Sequence, residues 1–144
     1  MKICIVGAGP AGSMAALEFA KRGASVSIFD PSHPREKPCG GGLTGKSLAL
    51  LPAGPGQDPL PARRVRHCRF DTARGRMVEL DLREPVGIVA RSEFDAWLLR
   101  RAVEAGARHL NDRITKVDAT GRVKTLAGLD ETFDLLVGAD GANS

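Results

Sequence analysis

The run Lys2-Ile3-Cys4-Ile5-Val6 passes without a linker into Gly7-Ala8-Gly9-Pro10-Ala11-Gly12, and this junction restricts the fold more than any other part of the chain. The apolar run predicts a buried strand, and the glycine turn predicts that a helix follows at once. Each glycine has its own task in such a turn. Gly7 permits the tight reversal, Gly9 lets the backbone approach a pyrophosphate, and Gly12 lets the helix pack closely on the strand. Pro10 suits the first helical position because its φ is already helical and its missing N–H would have had no partner there. The remaining free N–H groups and the positive helix end can then face an anion. Gly7, Gly9, Pro10, Ala11 and Gly12 are therefore candidate contacts to a dinucleotide.

The residues that follow supply the context a glycine turn needs. Residues 13–22 are helix-compatible, Gly23 ends the helix, and residues 24–29 alternate as a second strand ending at Asp30. This is the start of a βαβ unit. A carboxylate at Asp30 can accept from the hydroxyls of an adenosine ribose and repel a 2′-phosphate, so NADP is disfavoured. The competing reading is a βαβ unit with a glycine turn and no ligand. The order of strand, turn, helix and acid argues against it. These thirty residues leave NAD and FAD both open.

Two later segments bear on that choice. Arg35-Glu36-Lys37-Pro38-Cys39-Gly40-Gly41-Gly42-Leu43 follows the acid, and the chain ends on Asp134-Leu135-Leu136-Val137-Gly138-Ala139-Asp140-Gly141-Ala142-Asn143-Ser144. In the second, an apolar strand opens onto a polar turn where backbone and carboxylate can approach a ligand. With Arg91-Ser92-Glu93-Phe94-Asp95 between them, these landmarks resemble, in order, the FAD-dependent oxidoreductases that include geranylgeranyl reductases and aromatic-ring hydroxylases. The loop Lys37-Pro38-Cys39-Gly40-Gly41-Gly42-Leu43 looks most like the geranylgeranyl reductase branch.

The resemblance implies an α/β fold: a Rossmann-like FAD/NAD(P)-binding βαβ unit with a β-meander and an antiparallel-strand insertion. It places the FAD-binding domain at residues 1–51 and 88–144, and a partial substrate-domain insertion at 52–87. It implies FAD as cofactor, with Arg91 near the pyrophosphate, Gly40, Gly41 and Gly42 close to the flat ring, and Asp140 and Gly141 helping to close the site. The resemblance suggests for Cys39 a thiol beside the ring that assists proton delivery, while the residues alone favour a small residue packed under its loop. In a complete enzyme the implied reaction is transfer of hydride equivalents from a reduced flavin to an isoprenoid double bond, fed by a reduced electron donor. The alternatives are an aromatic-ring hydroxylase and a non-catalytic nucleotide-binding fragment. Family members continue well beyond the equivalent of Ser144, so the chain is expected to be C-terminally truncated relative to them.

Composition agrees with a globular unit. A chain of 144 residues can bury about 68–70% of its unfolded surface, enough for a core. No apolar run is long enough to cross a membrane, and the glycine turn follows Met1 too early for a signal peptide. The expected location is cytoplasmic, with a peripheral membrane contact open to the complete enzyme. Cys4, Cys39 and Cys68 are odd in number and widely spaced, which fits a reducing compartment. His33, His67 and His109 have no paired metal spacing, and no metal site is expected.

Arginines cluster at Arg63-Arg64-Val65-Arg66-His67-Cys68-Arg69 within a net charge of +4. A solvated strand face explains the cluster most simply. Attraction of an anionic substrate or membrane surface comes next, and nucleic acid last, because no recognition motif or stacking platform accompanies the charge. Residues 44–51 predict a short helix, 52–61 a break, and 64–90 antiparallel strands with turns near Arg74-Gly75-Arg76 and Glu84-Pro85. Unpaired strands there carry a risk of self-association. Ser92 is the expected cap of a helix stopped by Gly106, with Phe94, Trp97, Leu98, Ala102 and Ala105 on its apolar face. Residues 108–111 predict a short parallel strand and 114–133 a β-meander turning at Ala119-Thr120-Gly121.

Overall fold

A computed structural model describes residues 1–52 and 59–142. In chain order the elements are β1 (Lys2–Val6), α1 (Pro10–Lys21), β2 (Ser25–Phe29), β3 (Gly42–Leu43), α2 (Gly45–Ala49), β4 (Arg63–Asp71), β5 (Met77–Ile88), α3 (Arg91–Glu104), β6 (Arg108–Leu110), β7 (Ile114–Val117), β8 (Arg122–Thr125), β9 (Asp130–Thr132) and β10 (Leu135–Gly138). The chain divides into two compact units, one of Met1–Arg35 with Asp95–Ser144 and one of Glu36–Phe94. The second unit begins earlier and ends later than the expected insertion at 52–87. The reason is pairing: Gly42 and Leu43 lie against Ile88 and Gly87 of β5, which draws 36–51 and 88–94 into the antiparallel unit.

In the first unit four parallel strands run in the order β10-β1-β2-β6. Both faces are covered, as an all-parallel sheet requires. Ile3, Ile5, Val26 and Ile28 pack with Ala16 and Leu17 of α1 and Leu99 and Ala102 of α3. Cys4 and Phe29 point the other way, to Val123 and Phe133 of the meander β7-β8-β9. Phe29 and Phe133 meet edge to face with centroids 6.2 Å apart. The strict alternation of strand side chains thus divides one apolar run between two cores. Burial pushes the Cys4 thiol up to about 12, with Glu131 adding to the shift, so Cys4 remains a packed neutral thiol at neutral pH.

α1 stops where glycine permits it: Gly23 has φ +80°, and its N–H donates to the Ala20 carbonyl. α3 stops likewise at Gly106, φ +107°. At its start the structure corrects the expected cap. The Phe94 N–H donates to the Ala90 carbonyl, so Arg91 is already helical and Ser92 lies inside the first turn, its hydroxyl donating to Glu36 at 3.0 Å. Phe94, Trp97, Leu98 and Ala102 are buried as expected, and the Arg101 guanidinium lies 5.1 Å from the Trp97 ring centroid.

The second unit is a sheet in the order β3-β5-β4. Thr44 caps α2 by accepting from the Ser47 N–H. The hairpin turn falls at 72–76 as expected, but the second turn at Glu84-Pro85 does not form, and β5 runs straight through it. The register breaks between Val65 and His67, so that residues 82–85 of β5 bulge past the single residue Arg66 without pairing to β4. A proline is tolerated in a strand where the ladder is interrupted, because its missing N–H then costs no cross-strand bond. Of the loop expected at 52–61, residues 53–58 lie outside the described residues.

Candidate functional site

The order β6-β2-β1-β10 reverses direction at β1, so the carboxyl ends of β1 and β10 flank a topological switch point, the usual ligand crevice of an open parallel sheet. The glycine turn leaves β1 there. Gly7 has φ +97°, and a Cβ on it would stand 2.5 Å from the Ala139 carbonyl oxygen. A Cβ on Gly12 would stand 1.9 Å from the Gly7 carbonyl oxygen. Both positions therefore demand glycine, the first for conformation and close approach, the second for approach alone. Ala139 is tied to β1 by its N–H, which donates to Val6 at 2.8 Å, so the β10 end and the turn form one piece of backbone.

α1 opens from this turn with Gly9 at its cap and Pro10 as its first residue. No side chain caps it, and its first turn carries no acid. The Ser13 N–H is the first to find an intrahelical acceptor, Gly9, at 2.9 Å. The N–H groups of Ala11 and Gly12 lie ahead of it, where helix geometry provides no acceptor. The positive helix end is thus left to an external anion. Ser13 escaped the sequence reading: fully buried, its hydroxyl donates to the Ala8 carbonyl at 2.9 Å and braces the turn from beneath.

Asp30 lies buried at the end of β2. Its Oδ2 accepts from the Ala8 N–H at 2.9 Å, and its Oδ1 accepts from the Ser32 N–H at 2.9 Å and the Ser32 hydroxyl at 2.7 Å. Arg35 donates in turn to the Ser32 hydroxyl oxygen. Burial opposes ionisation, but the Ala8 and Ser32 donors and the Arg35 charge outweigh it and hold the carboxyl below the usual range. A carboxylate oxygen accepts about two hydrogen bonds. Oδ1 is filled and Oδ2 has one position left, enough for one ribose hydroxyl. Ser32 and Arg35 were also missed by sequence. The Asp-x-Ser spacing, which favours a side-chain turn onto the backbone two residues on, was the available signal.

Asp140 and Gly141 follow β10 and are exposed, with Gly141 at φ +95°. Gly7, Gly9, Pro10, Ala11, Gly12, Asp30, Asp140 and Gly141 therefore all belong to the first unit, at the turn and the strand ends beside it. Cys39, Gly40, Gly41, Gly42 and Arg91 belong to the second. There Gly41, φ +63°, has a local reason to be glycine: a Cβ would stand 2.0 Å from the Val89 carbonyl oxygen, and its own carbonyl accepts from the Val89 N–H. Gly40 has open space around it. Cys39 is exposed, its sulfur 3.5 Å from the Gly41 N–H, and Arg91 begins α3. A separate groove of about 340 Å3 runs along α3 between His33, Pro34, Leu99, Val103 and His109; no residue of the glycine turn lines it.

Switch point, glycine turn, uncapped helix and the buried acid at the end of β2 together define a dinucleotide-binding α/β protein. Its family is narrower still: the whole of residues 1–144 matches the FAD binding domain family, and the chain belongs to it. Geranylgeranyl diphosphate reductase of Rhodobacter capsulatus is 32% identical over 97% of this chain and 37% of its own length. Menaquinone reductase of Mycobacterium tuberculosis is 37% identical over 99% of the chain and 38% of its own. The crystal structure of a geranylgeranyl bacteriochlorophyll reductase-like protein from Thermoplasma acidophilum has the same fold, with a TM-score of 0.75 at 23% identity over 97% of this chain and 39% of that one. The chain thus spans less than two fifths of the length of these relatives. FAD is the cofactor, and the sequence resemblance to the geranylgeranyl reductase branch is borne out. Among the described residues no helix is long and apolar enough to cross a membrane.

Proposed function

We propose that this chain holds the AMP half of FAD on the turn from Gly7 to Gly12, as the cofactor module of a cytoplasmic reductase that saturates isoprenoid double bonds. The observation that carries the reading is the backbone cradle at Gly7 and Gly12, closed to any side chain, beneath an uncapped helix end. The pyrophosphate belongs at the Ala11 and Gly12 N–H groups. Asp30 accepts one ribose hydroxyl on the remaining position of Oδ2, and its ionised carboxylate rejects a 2′-phosphate. Asp140 and Gly141 border the same crevice from β10. When bound, the flavin supplies the hydride chemistry, and the protein supplies binding and orientation.

The second unit's candidates, Arg91, Gly40, Gly41, Gly42 and Cys39, keep the roles the resemblance gives them as proposals. The isoprenoid substrate and the reduced electron donor rest on the names of the relatives, and concern the longer protein that such relatives represent.

Titration of the 144-residue chain with FAD, NAD and NADP, following flavin absorbance and thermal stability together, tests the module. Selective stabilisation by FAD with a shifted flavin spectrum supports the assignment of these residues. Equal response to NADP overturns the role given to Asp30. Anaerobic turnover of a prenyl diphosphate by the longer protein with a reduced donor tests the reaction, and a strict need for oxygen would sink the reductase reading in favour of a hydroxylase.

A further inference from the structure

Asp30 lies one residue beyond β2, and β6 holds its main chain at both polar groups. Its N–H donates to the Leu110 carbonyl at 3.2 Å, and its own carbonyl stands 3.3 Å from Nε2 of His109. A carbonyl only accepts, so that ring nitrogen carries a proton. Register places the ring there. His109 pairs with Ile28, whose side chain packs toward the helices, while the next residue, Leu110, pairs with Phe29 and packs toward the meander.

His33 backs this ring. The two imidazoles meet edge to face, with centroids 6.0 Å apart and planes at 80°. His33 is half-buried, and its Nε2 is enclosed with no hydrogen-bond partner among the described residues. Close to it along the chain are Ser32, whose N–H and hydroxyl fill Oδ1 of Asp30, and Arg35, which donates to that hydroxyl oxygen. The packing of His33 thus pins the loop that holds the carboxylate, and His109 pins the peptide that carries it. All of these residues belong to the first unit.

We propose that His109 and His33 are positioning residues for Asp30, a ring pair that aims its carboxylate at the ribose while His33 is neutral and releases it when His33 takes up a proton. The inference rests on the reading of Asp30 as the ribose acid. A protonated His33 carries an N–H at Nε2 that has no acceptor where it is packed, so the charged ring is better served in water. The Nε2–H of His109 persists in either charge state, which leaves His33 as the switch. Burial is the largest influence on His33 and opposes its charge; Asp30 favours the charge, His109 opposes it, Asp95 of α3 favours it and Arg35 opposes it. Arg100 and Glu104 of α3 line the groove beside both rings. The outcome is a His33 held below the ordinary histidine value. The unfolded or released ring therefore binds a proton first. The packed form loses ground as pH falls through the unfolded value, about 6.5, and the loss is complete below the lower folded value. Asp30 itself titrates below about 3.9, well apart from this window.

The experiment is an FAD absorbance titration of the 144-residue chain from pH 8 to pH 5, paired with urea unfolding of the free chain over the same range. The parent should bind FAD about fivefold more weakly at pH 5 than at pH 8. His33→Phe keeps a flat ring against His109 and removes the proton, so its affinity should change less than about twofold across the range. His109→Phe removes the donor to the Asp30 carbonyl and should weaken FAD roughly threefold or more already at pH 8. His67→Gln, in the second unit, should keep the pH profile of the parent. A parent affinity independent of pH, or a loss at pH 5 that persists in His33→Phe, would overturn the proposal, as would His109→Phe with parental affinity at pH 8. Absence of FAD binding at every pH would be a failure of the flavin reading instead. The ring pair is then judged by unfolding: the parent should lose stability relative to His33→Phe as pH falls from 7 to 5, and parallel curves would show that His33 is no switch.

Discussion

The two units treat their strands in opposite ways: β1 and β2 are mostly apolar, while β4 carries an arginine cluster and β5 alternates apolar with charged residues. In β1 and β2 every residue from Ile3 to Ile5 and from Val26 to Phe29 is buried, because α1 and α3 cover one face and the meander the other. In β4 no residue is buried, and in β5 only Gly87 is. A strand is therefore not a statement about burial. The first unit spends its backbone on a rigid cradle where the loss of one hydrogen atom to a methyl is a collision. The second leaves most of its strand side chains exposed.

The sharpest way to break this contrast is to remove the same kind of side chain from each unit. Ile28→Ala, in a position with no exposure, should cost about 2–5 kcal/mol in denaturant unfolding, because it leaves a cavity between the sheet and its helices. A loss under about 1 kcal/mol would mean that the parallel core is not packed as described. Next comes Gly12→Ala. Its added carbon meets backbone, so the helix or the turn must shift, at about 1–3 kcal/mol and with at least tenfold weaker FAD binding in the absorbance titration. Unchanged FAD affinity would take Gly12 out of the cradle.

Asp30→Asn should act more on binding than on folding, lowering FAD affinity by roughly tenfold, the order of one hydrogen bond to a charged group. Its pH dependence carries a sign. The folded-state carboxyl is shifted down, so its contribution is complete above the unfolded value, about 3.9, and is lost as pH falls through the lower folded value. Acid unfolding of the native chain should contain this term and that of Asp30→Asn should lack it; superimposable acid limbs would contradict the network at Asp30. The smallest effect belongs to Leu80→Ala on the open ribbon, expected within about 0.5 kcal/mol of the parent. A cost like that of Ile28→Ala would show that the ribbon face is covered in the isolated chain.

Much of the fold was legible because its signals are local. The glycine turn, the stops at Gly23 and Gly106, the parallel strand after α3 and the meander each depend on a few neighbouring residues whose conformational preferences point one way. The misreadings arose where a distant partner decided. Pro85 looked like a turn, and only the slipped register of β4 against β5 explains why a strand passes through it. Ser92 looked like a cap, yet the helix begins a residue earlier and its hydroxyl goes to Glu36.

By itself, then, the chain determined that a strand, a glycine turn, a helix and an acid would follow in that order, because backbone freedom and apolar periodicity are properties of adjacent residues. It equally determined that arginines would crowd residues 63–69. Only the tertiary structure decided that Asp30 has a single accepting position left, that Gly41 answers to Val89, and that Asp71, Glu79 and Asp81 share one face of the ribbon with His67 and Arg69. Those facts depend on which residues meet across strands and loops far apart in sequence. Register, a property of pairs of segments, is written in neither segment alone.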